Sequence, residues 1–331
     1  MPRTSLSTVA RSLGVSTMTV SRALRGLPGV SDELKARIEA AAARLRYRPD
    51  PAVGRLMHQL RRGGHVGLRA SICALTDIPK QDEPAYMERM YRHAVARARE
   101  LGFTLSLLRV SRARGGWAAA TRALRARGVE GVLLLPLIEP GSVEAADWSG
   151  FSVVAATSSI TAPHFHEVVP NHAANVRLLV EQLERQGRRR LGFVGLTTHA
   201  SRTRNAYSRE LAWHHSQYDV RCAPLLYPPD SVPEIAGWFR RERPDVVIVG
   251  HPPHFPQFRT ELKRAGLPAV WVLANSLPFA SGAPGLDERH DLIGAVAIDT
   301  LASLVVRAER GIPEIAPSIS IVGEWADAAQ R

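Results

Sequence analysis

Between residues 70 and 310, short apolar runs alternate with stretches of helical period, and this rhythm narrows the possible folds more than any other feature of the chain. ASICALTD (70–77), FTLSLLRV (103–110), VEGVLLLPL (129–137) and FSVVAAT (151–157) are strand-length and apolar. An amphipathic helix is expected over 84–102 and another around 116–127. A second series opens with HEVVP (166–170) and continues with a helix over 171–187, RLGFVGL (190–196) and a polar helix around 201–216. PLLY, the helix VPEIAGWFRRE, DVVIVG (245–250), a helix to Gly266, AVWVLAN (269–275) and a long helix near 290–310 complete it. Apolar strands separated by helices form parallel sheets covered on both faces. Two consecutive series predict two doubly wound lobes, with a cleft at the carboxyl ends of their strands.

The chain has 331 residues, enough for two or three domains. At 45 % apolar and 22 % charged residues it has an ordinary globular composition. No run approaches the ~18 apolar residues of a membrane helix; the candidate VLLLPLI (132–138) is broken by Pro136. MPRTSLSTVAR lacks an apolar signal core, so export is not expected. Cys73 and Cys222 make neither a disulfide framework nor a zinc site, which suits a reduced cytoplasm.

Charge is unevenly placed. Residues 1–65 hold twelve Lys/Arg against four Asp/Glu, so most of the net charge of +12 sits in a fifth of the chain. A small basic module on a near-neutral body implies a polyanionic partner. Its first helix runs from about Ser5 to Leu13, with Leu6, Val9, Ala10 and Leu13 at helical spacing. Gly14 stops it, and Ser16 is placed to cap a second helix whose core side is Val20, Ala23 and Leu24. A third starts after Ser31, with Asp32 and Glu33 in its first turn and an apolar stripe of Leu34, Ile38, Ala41, Ala42 and Leu45. Helix, glycine turn, helix is the helix-turn-helix plan, whose second helix enters the major groove.

That plan explains why the second helix has so little to bury. Arg22 can offer two parallel donors to guanine, and Thr17 and Met18 can meet base edges and thymine methyls. Ser16, Thr19 and Ser21 can donate to phosphates. Next, Asp50 caps and Pro51 opens a short helix to about Leu60. Ten residues with Gly54 among them form a marginal helix when free, one that orders on a partner. Its apolar side, Val53, Leu56, Met57 and Leu60, can serve as a minor-groove wedge, or the stretch is a plain linker.

TVARSLGVSTMTVSRALRG followed by VSDELKARIEAAAARLRYRPDPAVGRLM resembles the DNA-binding headpiece and hinge of the lactose-repressor (LacI) family, without a gap from residue 4 to about 57. The resemblance implies that Thr17, Met18 and Arg22 read bases and that Leu56 opens the central base step. In the hinge, Asp50, Val53 and Gly54 stand where the family has Asn, Ala and Arg. RRRLGFVG and GIPEIAPSISIVGEW are further anchors.

By that resemblance, residues 1–48 are the helix-turn-helix domain, 49–62 the hinge, and 63–331 a periplasmic-binding-protein-like effector and dimerisation core. Lobe one is expected at about 66–163 and 293–317, and lobe two at about 164–292 and 318–331, with three chain crossings. Arg204 and Asp287 match effector contacts of the family, whereas His251-Pro252 replaces an Asn-Asp pair and Asn171 an Asp. The effector site is thus expected at Arg204, Asp287, His251 and Asn171. Arg204 and Asp287 have an alternative reading as salt-bridging residues.

Enzyme signals are thin: GxGxxG, GxxxxGK[ST] and GxSxG are all missing, and HEVVP has proline where HExxH needs histidine. No catalytic residue, metal or cofactor is expected. The chain reads as a cytoplasmic, nucleoid-associated regulator, a repressor of transcription. It is expected to bind a pseudo-palindromic double-stranded operator as a homodimer, under a small-molecule effector held between the lobes. One alternative is the same regulator with a decayed, ligand-independent cleft. Another is a cleft enzyme or ligand-binding protein carrying an appended basic module.

Overall fold

A computed structural model of the chain describes residues 6–16, 19–20, 23, 30–44, 71–274 and 282–327. The chain divides into two compact units, Met1–Leu68 and Arg69–Arg331. The hinge helix expected after Asp50 lies outside the described residues.

In the first unit, α1 (Leu6–Leu13) and α2 (Asp32–Arg44) close over a small core. Val9, Ala10, Val20, Ala23, Ile38, Ala41 and Ala42 are buried together, with Leu13, Val15, Val30 and Leu34 packed against them. Gly14 takes the left-handed conformation (φ 66°) that ends α1, and the Val15 amide returns to the Ala10 carbonyl at 3.1 Å. Ser31 caps α2, its Oγ accepting from the Leu34 amide at 3.4 Å.

The second unit contains two sheets, one per lobe. The lobe-one strands are β1 (Ser71–Thr76), β2 (Thr104–Arg109), β3 (Gly131–Leu134), β5 (Ser152–Ala155), β7 (His166–Pro170) and β13 (Ser318–Ile321). They lie in the order β13-β7-β5-β3-β1-β2, all parallel. On one face, Ile72, Leu133, Val154 and Val168 pack under α3 (Ala85–Glu100) and α10 (His290–Arg307). On the other, Cys73, Leu75, Val132 and Val153 pack under α4 (Gly116–Ala126) and the buried Trp148 and Phe151. Successive side chains therefore bury on opposite faces, as a doubly covered parallel sheet demands. A two-strand ladder of β4 (Gly141–Ser142) and β6 (Ile160–Ala162) adjoins it in the chain. Where α10 crosses α3, Gly294 lies against the Met90 carbonyl, which a Cβ would meet at 2.2 Å.

Lobe two contains β8 (Leu191–Leu196), β9 (Leu225–Tyr227), β10 (Val246–Val249), β11 (Trp271–Leu273), β12 (Gly285–Asp287) and β14 (Glu324–Ala326). Their order is β14-β12-β11-β10-β8-β9, parallel except that β14 runs against β12. Helices α5 (His172–Arg185) and α7 (Ala206–Gln217) cover one face, while α8 (Ile235–Glu242) and α9 (Phe255–Arg264) cover the other.

Three boundaries differ from expectation. HEVVP belongs to lobe one, because β7 pairs with β5 and β13; its apolar pattern marks a strand without marking which sheet it joins. For the same reason the 318–321 strand closes lobe one, and only β14 returns to lobe two. Helix α10 starts at His290 and packs on lobe one, so the crossing falls at 288–289. The polar helix expected over 201–216 is split into α6 (Thr197–Arg202) and α7, because Arg204 and Asn205 are both left-handed (φ 52° and 57°).

Candidate functional site

Two places merit construction from their side chains: the second helix of the headpiece and the meeting of the two lobes. In the headpiece, Ser16 Oγ accepts from the Thr19 amide at 3.0 Å while the Val20 amide reaches the Ser16 carbonyl at 3.1 Å, a true N-cap. The Ser16 and Thr19 hydroxyls share one hydrogen bond of 2.8 Å. One of the two O–H groups therefore remains free to donate outward, at the positive end of a helix. Thr17, Met18, Ser21, Arg22 and Leu56 lie outside the described residues.

The four expected effector residues occupy four different settings. Arg204 is exposed, at the left-handed break between α6 and α7. Asn171 caps α5, its Oδ1 accepting from the Ala174 amide at 3.0 Å. His251 follows β10 and is half-buried, its ring edge-on to His254 with centroids 4.5 Å apart. Asp287 is buried at the end of β12; Arg89 Nη1 of lobe one donates to both its oxygens, at 2.9 and 2.8 Å, and the Arg289 amide adds a third donor at 2.8 Å. Arg89 Nη2 also holds Asp291 at 2.7 Å.

What the structure gathers instead is a set scattered through the sequence. Glu288, buried on the 288–289 crossing, accepts from His172 Nδ1 at 3.0 Å, with His290 Nε2 3.9 Å away. Burial alone would raise the Glu288 carboxyl, but His172, then His290 and His199, outweigh it and hold it at about 2. Burial pushes His199 down to about 4, against the pull of Glu288 and assisted by His172 and Arg202. His251 is also brought to about 4, by burial first and then by His254 and His199. Tyr86, at the start of α3, lies against the His290 ring with centroids 4.8 Å apart.

Arg202, at the end of α6, is the arginine of this segment that crosses between lobes. Its Nη2 donates to the Ile138 carbonyl of lobe one, and its own carbonyl accepts from Ser158 Oγ at 3.2 Å. Its Nε is buried and has no partner. Nothing in the spacing of 138, 158 and 202 foretells this junction. The Glu-Arg-His run at 288–290 and the crowd of histidines in the second half were the visible signs of the imidazole cluster. Among the described residues, no group of three or more His, Cys, Asp or Glu is arranged to hold a metal ion.

Residues 5–50 match the family model described as bacterial regulatory proteins, lacI family. The solved lac repressor dimer bound to operator and the anti-inducer ONPF is similar over 98 % of both chains, at 18 % identity and a TM-score of 0.59. The complex of the transcriptional regulator CelR with cellobiose is also similar over 98 % of both, at 14 % identity and a TM-score of 0.59. A LacI-family regulator from Rhizobium etli covers 78 % of this chain and 98 % of its own, at 14 % identity and a TM-score of 0.62. No protein of curated function matches the sequence. At such identities the likeness of the long second unit is one of fold, and the family match is confined to the headpiece. Residues 5–50 thus carry the match to the lacI-family domain, and the chain as a whole shares its fold with solved regulators of that family.

Proposed function

We propose that this protein represses transcription from a pseudo-palindromic operator, bound as a homodimer, in response to a small molecule held between the two lobes. It acts by binding and not by catalysis, in the cytoplasm and on the nucleoid. The observation that carries the reading is the headpiece: a match to the lacI-family domain and a Ser16-capped second helix above a core of small apolar residues. Arg22, Thr17 and Met18 take the base edges; Ser16, Thr19 and Ser21 take phosphates; Leu56 enters the minor groove. The solved relatives supply the analogy for the partners, since one is a dimer on operator DNA with an anti-inducer and another holds cellobiose.

The test is selection of genomic fragments by the full chain, followed by affinity measurements against salt. Binding should weaken with a log–log slope of about −0.9 per phosphate neutralised. Arg22→Ala should cost roughly 1–3 kcal/mol of preference at one base pair of each half-site. A slope near zero, or undiminished preference in the variant, overturns the reading.

A second reading, in which the cleft no longer takes a ligand, draws support from Asp287. Its carboxylate, expected to face an effector, is spent on Arg89. In that case operator affinity is indifferent to every small molecule tried.

A further inference from the structure

The groups that line the meeting of the lobes differ sharply in what they have left to offer. The acids there are occupied. Asp77 Oδ1 accepts from the Ile138 amide at 2.8 Å, Asp287 and Asp291 are held by Arg89, and Glu288 is held by His172. A polyhydroxyl ligand, which needs acceptors for its many O–H groups, would find few of them free. The cationic side differs. Arg202 Nη2 and Nε form one side of the guanidinium, a fork built to grip two oxygens in parallel. Nη2 holds a single carbonyl, that of Ile138, and Nε is buried without a partner. The fork is half filled by a neutral oxygen, and a buried donor left unpaired costs free energy that a second acceptor recovers.

The body of a ligand is constrained by neighbouring rings. α6 rises from β8, which lies between β9 and β10 in the sheet. The ends of those two strands carry Tyr227 and His251, joined through His254 by ring contacts at 5.6 and 4.5 Å. Tyr227 Oη and His254 Nδ1 are hydrogen-bonded at 2.8 Å, so the buried Tyr227 fixes the half-buried His254 and, through it, the half-buried His251 ring. Of the two described arginines that bond across the lobes, Arg89 has its donors spent on Asp287 and Asp291, which leaves Arg202 alone to meet an anion and favours a single negative charge.

We infer that the effector is a small planar carboxylate, an aromatic acid with one negative charge, whose two oxygens fill the Nε/Nη2 fork of Arg202 and displace the Ile138 carbonyl. The inference rests on the reading that the cleft takes an effector. It also supplies the coupling: binding exchanges a hydrogen bond between lobes for one to ligand, so the ligand shifts the balance of lobe arrangements by that difference.

The experiment is thermal unfolding and operator binding of the full-length protein at constant ionic strength. The probes are benzoate, benzamide, cyclohexanecarboxylate, inorganic phosphate, glucose and adenosine. At a hundredfold excess over its dissociation constant, benzoate should raise the melting temperature by about 5 °C and change operator affinity. Benzamide should do neither, and cyclohexanecarboxylate should do much less. Arg202→Gln should abolish the benzoate response while keeping the circular dichroism spectrum. Equal responses to benzoate and benzamide, or a response to phosphate alone, overturn the inference. A response confined to glucose or adenosine overturns it but leaves the effector reading standing. Silence from every probe overturns both.

Discussion

Arg89 binds two carboxylates from the crossing that joins the lobes, Asp287 bidentately and Asp291 through its other nitrogen, with all three side chains largely buried. Removing the cation leaves Asp287 buried against one amide only, so Arg89→Met should cost about 3–5 kcal/mol in denaturant unfolding. The double variant with Asp287→Asn should cost less than the sum of the singles, because the orphaned charge disappears. Acid should act in two stages of the same sign. His199 and His251 ionise near 4 in the fold and near 6.5 in the open chain, so their contribution is intact above about 6.5 and lost as pH falls to 4. Glu288 moves from 4.5 to about 2, so its contribution is intact above 4.5 and lost below it. Unfolding midpoints at pH 7, 5 and 3 should decline stepwise, and Glu288→Gln should remove much of the second step. An equal midpoint at pH 7 and 5 would refute the first stage. At this scale the sequence was legible where a role is local: the Ser16 and Ser31 caps are set by residues three positions apart. That Arg202 bonds to lobe one while Arg204 stays exposed was not, since it depends on a left-handed break that no helical period reveals.

Elements were largely readable because burial on two faces writes an uninterrupted apolar run into the central strands, such as Gly131–Leu134 and Val246–Val249, and a glycine or proline often marks a strand's end. The close approach of α10 to α3 was hidden, since one glycine within a helix resembles a defect. Gly294 is instead the point where the helices touch, its missing Cβ admitting the Met90 carbonyl. Gly294→Ala would improve helix propensity by up to ~1 kcal/mol in isolation. Here it should destabilise lobe one by about 1–3 kcal/mol through overpacking, read as an earlier denaturant midpoint. Asn171→Ala should cost about 1 kcal/mol, the worth of a lost cap, and leave ligand response unchanged. If ligand response falls with it, Asn171 does more than hold the start of α5.

For the molecule, the headpiece motif and the two-lobe plan were legible from motif and rhythm, but the division between lobes was not: strand pairing decides it, and a pattern of apolar residues carries no pairing partner. The chain crosses between sheets near 170–171, 288–289 and 322–323. All three crossings are tied together. His172 holds Glu288, Arg289 reaches Glu324 at 3.1 Å, and Asn175 Oδ1 accepts from the Gly323 amide at 2.7 Å. No helix among the described residues is long and apolar enough to cross a membrane. The crossings also set a timetable for synthesis. The five parallel strands of lobe two all lie between Leu191 and Asp287, so they can pair as soon as that stretch leaves the ribosome. Lobe one has five strands ready by Pro170, yet part of one apolar face waits uncovered until His290–Arg307 arrives. Chains halted after Asp287 should therefore bind a hydrophobic dye through lobe one and recruit chaperones. A fragment spanning 171–287 should keep its circular dichroism signal, so the half of the core begun first is the half finished last.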